Sequence, residues 1–186
     1  MHAIPYGHQW IDEADIAAVA RALTSDWLTT GPLVTEFESA LARLARVPDA
    51  AVMSSGTAAL HGAYWAASVK NGDEVVVPAL TFVATASAAI ALGATVRFAD
   101  VDEATGTIDV EAAAAEVTSR TRVLAAVDYA GHPADTDRLA SVAEKAGALV
   151  LQDAAHSIGS LSAGRPVGSL ADLTTFSFFP TKNMTT

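Results

Sequence analysis

From residue 50 onward the chain keeps one rhythm: a short apolar segment, then a stretch with helical spacing, then another short apolar segment. The segments 50–54, 74–78, 95–100, 121–128, 148–153 and 173–179 read as strands. The intervals 58–70, 82–92, 110–117 and 136–146 read as helices, three of them closed by Asn71-Gly72, Gly93 and Gly147. The sharpest amphipathic face belongs to 136–146, with Leu139, Val142, Ala143 and Ala146 in line. Strands apolar on both faces must be covered on both faces, and helices alternating with them supply the cover. The expected class is therefore α/β, a mostly parallel sheet flanked by helices. Such sheets bind ligands at the carboxyl ends of their strands. The last interval, 154–171, carries Gly159, Gly164, Pro166 and Gly168 and no helical face. The sixth strand is thus free to run antiparallel, or to cross over without a helix.

Ahead of this rhythm lie an arm and two helices. Residues 1–11, with Pro5, Tyr6, Gly7 and Trp10, have no period and read as extended. Asp12 is a candidate N-cap for a helix with Ile16, Val19, Ala20 and Leu23 on one face. A turn-rich stretch from Trp27 to Pro32 follows, and Phe37, Leu41 and Leu44 mark a second helix closed by Val47-Pro48. The expected division is residues 1–32 as arm and helix, and 33–186 as the body.

With 51% hydrophobic residues and a mean hydropathy of +0.32, the chain can fill the core of one domain. Eleven basic against twenty-one acidic residues leave a net charge of −10, which argues against nucleic acid or an anionic membrane as partner. There is no cysteine for a disulfide or a thiolate metal site. No basic-then-apolar leader and no run of about 18 apolar residues occurs, so the expectation is a cytoplasmic protein.

Chemistry-bearing residues gather at the strand ends. Ser54-Ser55-Gly56-Thr57 precedes a helix, either as an ordinary capping turn or as an anion cradle in which a bare glycine, free N–H groups and hydroxyls meet a phosphate. It is neither G-x-G-x-x-G nor a P-loop. Asp153 ends the strand Leu149-Val150-Leu151, where a carboxylate needs loop N–H donors or a cation. Phe82 follows the strand 74–78, either as core or as a platform for a flat ring. His156 reads as a packing or hydrogen-bonding residue, because His2, His8, His61, His132 and His156 show no metal-ligand spacing. The loop from Asp128 to Pro133 is placed to line a site. Ser177 lies in the last strand segment. Lys182, just past Pro180, is either a solvated loop lysine or a partly desolvated amine able to act as a nucleophile. A serine-hydrolase elbow is absent. One chemistry uses all the fragments: phosphate cradle, ring-stacking aromatic, carboxylate for a pyridinium nitrogen, hydroxyl for the phosphate and amine for a Schiff base are the protein's parts in pyridoxal phosphate (PLP) enzymes.

At this point the sequence resembles the DegT-type nucleotide-sugar aminotransferases, fold-type I PLP enzymes. The resemblance runs through residues 54–60, 78–85, 152–156 and 176–183 in order. Asp12, Ser25 to Thr29 and Asp128 to Gly131 look most like the branch named for UDP-4-amino-4,6-dideoxy-N-acetyl-altrosamine transaminase. The resemblance implies that Lys182 carries the cofactor and then moves the proton, and that Asp153 pairs with the pyridinium nitrogen. It also implies that Ser55, Gly56, Thr57 and Ser177 hold the phosphate, with Phe82 on one ring face and His156 near the other. The implied reaction is ping-pong: glutamate gives its amino group to the cofactor, which passes it to the keto carbon, C4, of a nucleotide-diphosphate-linked 4-keto-6-deoxy sugar. A cytoplasmic homodimer serving cell-surface polysaccharide synthesis is the implied setting. Relatives continue past the position of Thr186 with more of the large domain and a small domain, so the large domain is expected to be incomplete here. The alternatives are another fold-type I reaction, such as a lyase, and a non-catalytic binding module.

Overall fold

The structure, a computed structural model, describes residues 9–185; most of the expected arm lies outside them. Three helices come first: α1 (Glu13–Leu23), α2 (Pro32–Ala45) and α3 (Gly56–Ala66). Then β1 (Glu74–Pro78), α4 (Val83–Ala91), β2 (Thr95–Ala99), α5 (Val110–Ala115), β3 (Thr121–Val127), α6 (Thr136–Ala146) and β4 (Leu149–Asp153) follow in alternation. A two-stranded hairpin, β5 (Leu161–Ser162) and β6 (Arg165–Pro166), precedes β7 (Leu173–Thr175). The main sheet has the order β2-β1-β3-β4-β7, and each of its pairings is parallel.

Alternation along the strands divides the core in two. Val75, Val77, Val123, Ala125 and Leu151 face α3 and α4, while Val76, Leu124, Ala126 and Val150 face α5 and α6. Each fully buried valine or leucine contributes about 1.5–3 kcal/mol. The small residues of α4, Ala84, Ala86, Ala88 and Ala89, let that helix lie close to the sheet. At the amino end of β1, buried Glu74 is held by Thr118 Oγ1 at 2.6 Å and by the Arg120 guanidinium, and these donors keep its carboxyl below the usual range.

Most elements form where the spacing predicts, but two expectations fail. Residues 50–54 are not a strand: the segment pairs with no sheet neighbour, and the Val52 amide donates to Glu38 Oε1 of α2 at 3.0 Å. Its short apolar run, Ala-Ala-Val-Met, leaves Val52 and Met53 largely exposed, too little burial to hold a sheet position. The last strand stops at Thr175 rather than Phe179. Beyond it the chain leaves the sheet, and Phe178 packs edge-on against Phe37 of α2 with ring centroids 5.0 Å apart. Of the two courses left open for this strand, it takes the parallel one.

α1 has the expected cap and face. Asp12 accepts from the amides of Ala14 and Asp15, and Asp15 returns a bond to the Asp12 amide. Yet α1 buries none of its residues within the described chain. Among the described residues no helix is long and apolar enough to cross a membrane.

Candidate functional site

The carboxyl ends of β1, β4 and β7 and the start of α3 converge on the α3/α4 side of the sheet. At the start of α3 the Ser55 hydroxyl caps the Ala58 amide at 3.1 Å. By helix geometry the amides of Gly56 and Thr57 have no intrahelical acceptor. Ser177 lies directly against this turn. A Cβ built on Gly56 would stand 3.1 Å from Ser177 Cβ and 3.3 Å from its Oγ, so a side chain there would push against Ser177 by a few tenths of an ångström, and glycine lets helix start and hydroxyl sit close together. The result is a cradle of N–H groups, a helix dipole and a serine hydroxyl, all favouring an anion.

Asp153, the last residue of β4, is buried and faces the same side. Its Oδ2 accepts from Thr85 Oγ1 at 2.7 Å, and its Oδ1 accepts from the Ala155 amide at 3.2 Å. No basic side chain forms an ion pair with it among the described residues, which leaves a carboxylate with acceptor capacity for an incoming cation. Next to it, Thr175 pairs in register with Asp153, and its buried hydroxyl is the side-chain polar atom without a partner among the described residues.

Phe82 is the N-cap residue of α4 and is 69% exposed, so the reading as a core residue is excluded. Lys182 sits in a turn, its amide bonded to the Phe179 carbonyl at 2.8 Å. Its Nζ meets His156 Nε2 at 2.9 Å. Partial burial and the neighbouring ammonium hold the His156 imidazolium below its ordinary pKa. The neutral ring therefore accepts from Lys182. The His156 loop is braced by Gly131, whose φ of +87° and 3.0 Å clearance from the His156 carbonyl exclude a side chain. Of the residues singled out from the sequence, then, Ser55, Gly56 and Thr57 form one cluster with Ser177. Asp153 and the Lys182–His156 pair lie at neighbouring strand ends, and Phe82 stands at the start of α4.

The Asp128 loop departs from expectation. Asp128 does not line the site: it is fully buried on the α5/α6 side, bonded to Gln152 Nε2, Ser157 Oγ and the Ala134 amide. Among the described residues no group of side chains could hold a metal ion. Sequence reasoning missed Thr85 and Tyr64. For Thr85 the one available signal was a polar side chain within an otherwise alanine-rich helical stretch, three residues past Phe82.

Comparison with known proteins follows the same outline. The family model described as the DegT/DnrJ/EryC1/StrS aminotransferase family matches residues 9–186. The spore coat polysaccharide biosynthesis protein SpsC of Bacillus subtilis is 40% identical over 185 residues, which are 100% of this chain and 48% of SpsC. The UDP-4-amino-4,6-dideoxy-N-acetyl-beta-L-altrosamine transaminase of Campylobacter jejuni is 41% identical over 186 residues, 98% of this chain and 49% of the transaminase. Among solved structures, Spr1654 of Streptococcus pneumoniae, described as a sugar aminotransferase in its PLP-form, superposes with a TM-score of 0.95 at 36% identity, covering 99% of this chain and 51% of Spr1654. The chain thus spans about half the length of the relatives it matches.

Proposed function

From the premise that this chain belongs to the DegT/DnrJ/EryC1/StrS aminotransferase family, we propose that it is the cofactor-binding half of a PLP-dependent nucleotide-sugar aminotransferase. The observation that carries this reading is the convergence of an anion cradle, a buried carboxylate free of basic partners and a lysine bonded to a neutral histidine at one end of one sheet face. These residues fit the cofactor's chemical groups. The space that a Gly56 side chain would fill suits a phosphate, and the orphaned Thr175 hydroxyl marks a place beside Asp153 where a polar ligand is wanted.

When bound, PLP supplies an electron sink and carries an amino group between two substrates. The chain's residues then divide the work. Ser55 holds the turn of α3 in shape, while the Gly56 and Thr57 amides and the Ser177 hydroxyl bind the phosphate. Asp153 would accept from the ring N–H and keep that proton in place, and Phe82 and His156 would flank the ring. Lys182 needs its free amine to attack a carbonyl, and His156 Nε2, already its hydrogen-bond partner, is placed to take the departing proton. With the cofactor bound, the Lys182 Nζ would be the group placed to hold and move a proton at the reacting carbon.

The substrates proposed are glutamate and a nucleotide-diphosphate-linked 4-keto-6-deoxy sugar, aminated at C4. The 41% identity to the altrosamine transaminase and the polysaccharide role in the name of SpsC support this choice. The setting proposed is a cytoplasmic homodimer, in which residues 1–32 form an arm and helix, 33–186 most of the large domain, and further chain the small domain. The test is an absorption spectrum of the purified protein with added PLP, then borohydride and peptide mapping. We expect a visible band and a cofactor fixed to Lys182, both lost in Lys182→Ala; a cofactor trapped on another lysine would overturn the assignment. Glutamate-dependent amination of the keto sugar then separates transfer from lyase chemistry.

A further inference from the structure

Asp153 is supported by a chain of hydroxyls that runs in one direction. An ionised carboxylate only accepts hydrogen bonds, so the Thr85 hydroxyl must spend its single proton on Asp153 Oδ2, at 2.7 Å. The Thr85 oxygen is then left to accept, and Thr81 Oγ1 donates to it at 2.8 Å. Thr85 is fully buried, and its carbonyl accepts from the Tyr64 hydroxyl at 2.8 Å. Burial and the charge of Asp153 keep that phenol protonated, as a donor must be. Thr81 immediately precedes Phe82, and the Phe82 carbonyl receives the Thr85 amide at 3.1 Å. One turn of α4 therefore holds both the exposed aromatic and the donor to the carboxylate.

We propose that Thr85 is a positioning residue for Asp153, which through the Thr81–Thr85–Asp153 relay holds the carboxylate oriented toward the ring nitrogen of the bound cofactor and ties that orientation to the turn carrying Phe82. The proposal rests on the PLP reading above. Its physical content is specific. Without the Thr85 hydroxyl, Asp153 keeps only the 3.2 Å contact from the Ala155 amide. A buried carboxylate that loses its shorter donor is worse solvated and free to rotate. The loss is felt only by a ligand that places a cationic N–H against it.

The test compares two ligands of one shape: PLP, and its 1-deaza analogue with carbon in place of the ring nitrogen. Their dissociation constants are measured on the wild-type protein and on Thr85→Val, Thr85→Ser and Thr81→Val. We expect Thr85→Val to weaken PLP by about tenfold, because an Asp153 no longer held by Thr85 must be ordered when the ring N–H binds, while the deaza analogue changes by less than about twofold. Thr85→Ser should restore PLP binding. Thr81→Val, which reaches Asp153 only through Thr85 and is itself half-buried, should show the same selectivity with a smaller loss and keeps the question open to measurement if Thr85→Val does not fold. Equal weakening of both ligands, or of neither, would reduce Thr85 to a packing residue and overturn the proposal. Failure of the wild-type protein to bind PLP would instead overturn the cofactor reading, and this inference with it.

Discussion

Two carboxylates end neighbouring strands of the same sheet, and the chain treats them in opposite ways. Asp128, just past β3, points to the α5/α6 side and is enclosed by donors from Gln152, Ser157 and Ala134. Gln152 is itself held by Thr174, so the network closes on itself. Asp153, at the end of β4, points to the other side and has one hydroxyl and one amide, with an unpartnered threonine beside it. The same residue type at adjacent strand ends is thus saturated on one face and kept available on the other. Burial does not separate the two acids, whereas the number of donors their own chain gives them does.

The sharpest way to break this comparison is to remove each acid and ask which property falls. Asp153→Ala in the full-length protein should lower turnover by about a thousandfold while leaving thermal unfolding nearly unchanged; steady-state rates and calorimetry check both halves. Near-normal rates would place Asp153 with Asp128 as structural. Asp128→Asn should do the reverse, destabilising the fold by about 2 kcal/mol in urea titration because an amide N–H now faces the Ser157 and Gln152 donors.

The same variant carries a pH signature. Burial pushes the Asp128 carboxyl up from its ordinary value, so over an interval above the usual carboxylate range the folded chain holds a proton that the unfolded chain has released. Stability from this group is therefore present below the unfolded value and lost as pH rises through the folded one. The lowered pKa of His156 adds stability as pH rises and opposes this slope, so the Asp128 component is read as the difference between wild type and Asp128→Asn, whose urea midpoints should converge as pH rises through that interval. The smallest effect is expected at Thr175. Thr175→Val removes a buried hydroxyl without a partner and should stabilise the protein without cofactor by about 1 kcal/mol, a difference that shrinks when PLP is added.

The sheet was legible because its determinants are local. Val75 to Val77 is apolar on both faces, and Asp135, Leu139 and Gly147 mark cap, face and stop of α6, whose bounds match the expectation. Residues 50–54 offered a similar apolar run, but Val52 and Met53 stay exposed and the Val52 amide bonds to Glu38 of α2 rather than to a strand, a long-range choice that no local pattern records. The strand-end residues of the site could be picked out because turn chemistry and position mark them. Thr85 could not be, because its partner lies 68 residues away and nothing in an alanine-rich helix says which hydroxyl will face a carboxylate. α1 teaches the same lesson in reverse: its capping box and apolar face specify a helix, but not what the face will cover.

The cradle has one more consequence, for how stability depends on cofactor. Gly56 belongs to the first part of the chain and Ser177 to the last, and all five strands of the main sheet lie between them in sequence. An anion held between them would act as a reversible clasp joining the segment before the sheet to the segment after it. Such a ligand stabilises by mass action, about 2.7 kcal/mol at a hundredfold excess over its dissociation constant. Because such a ligand binds the folded chain and not the unfolded one, denaturation midpoints should rise with added PLP and so become a readout of how much cofactor surrounds the protein.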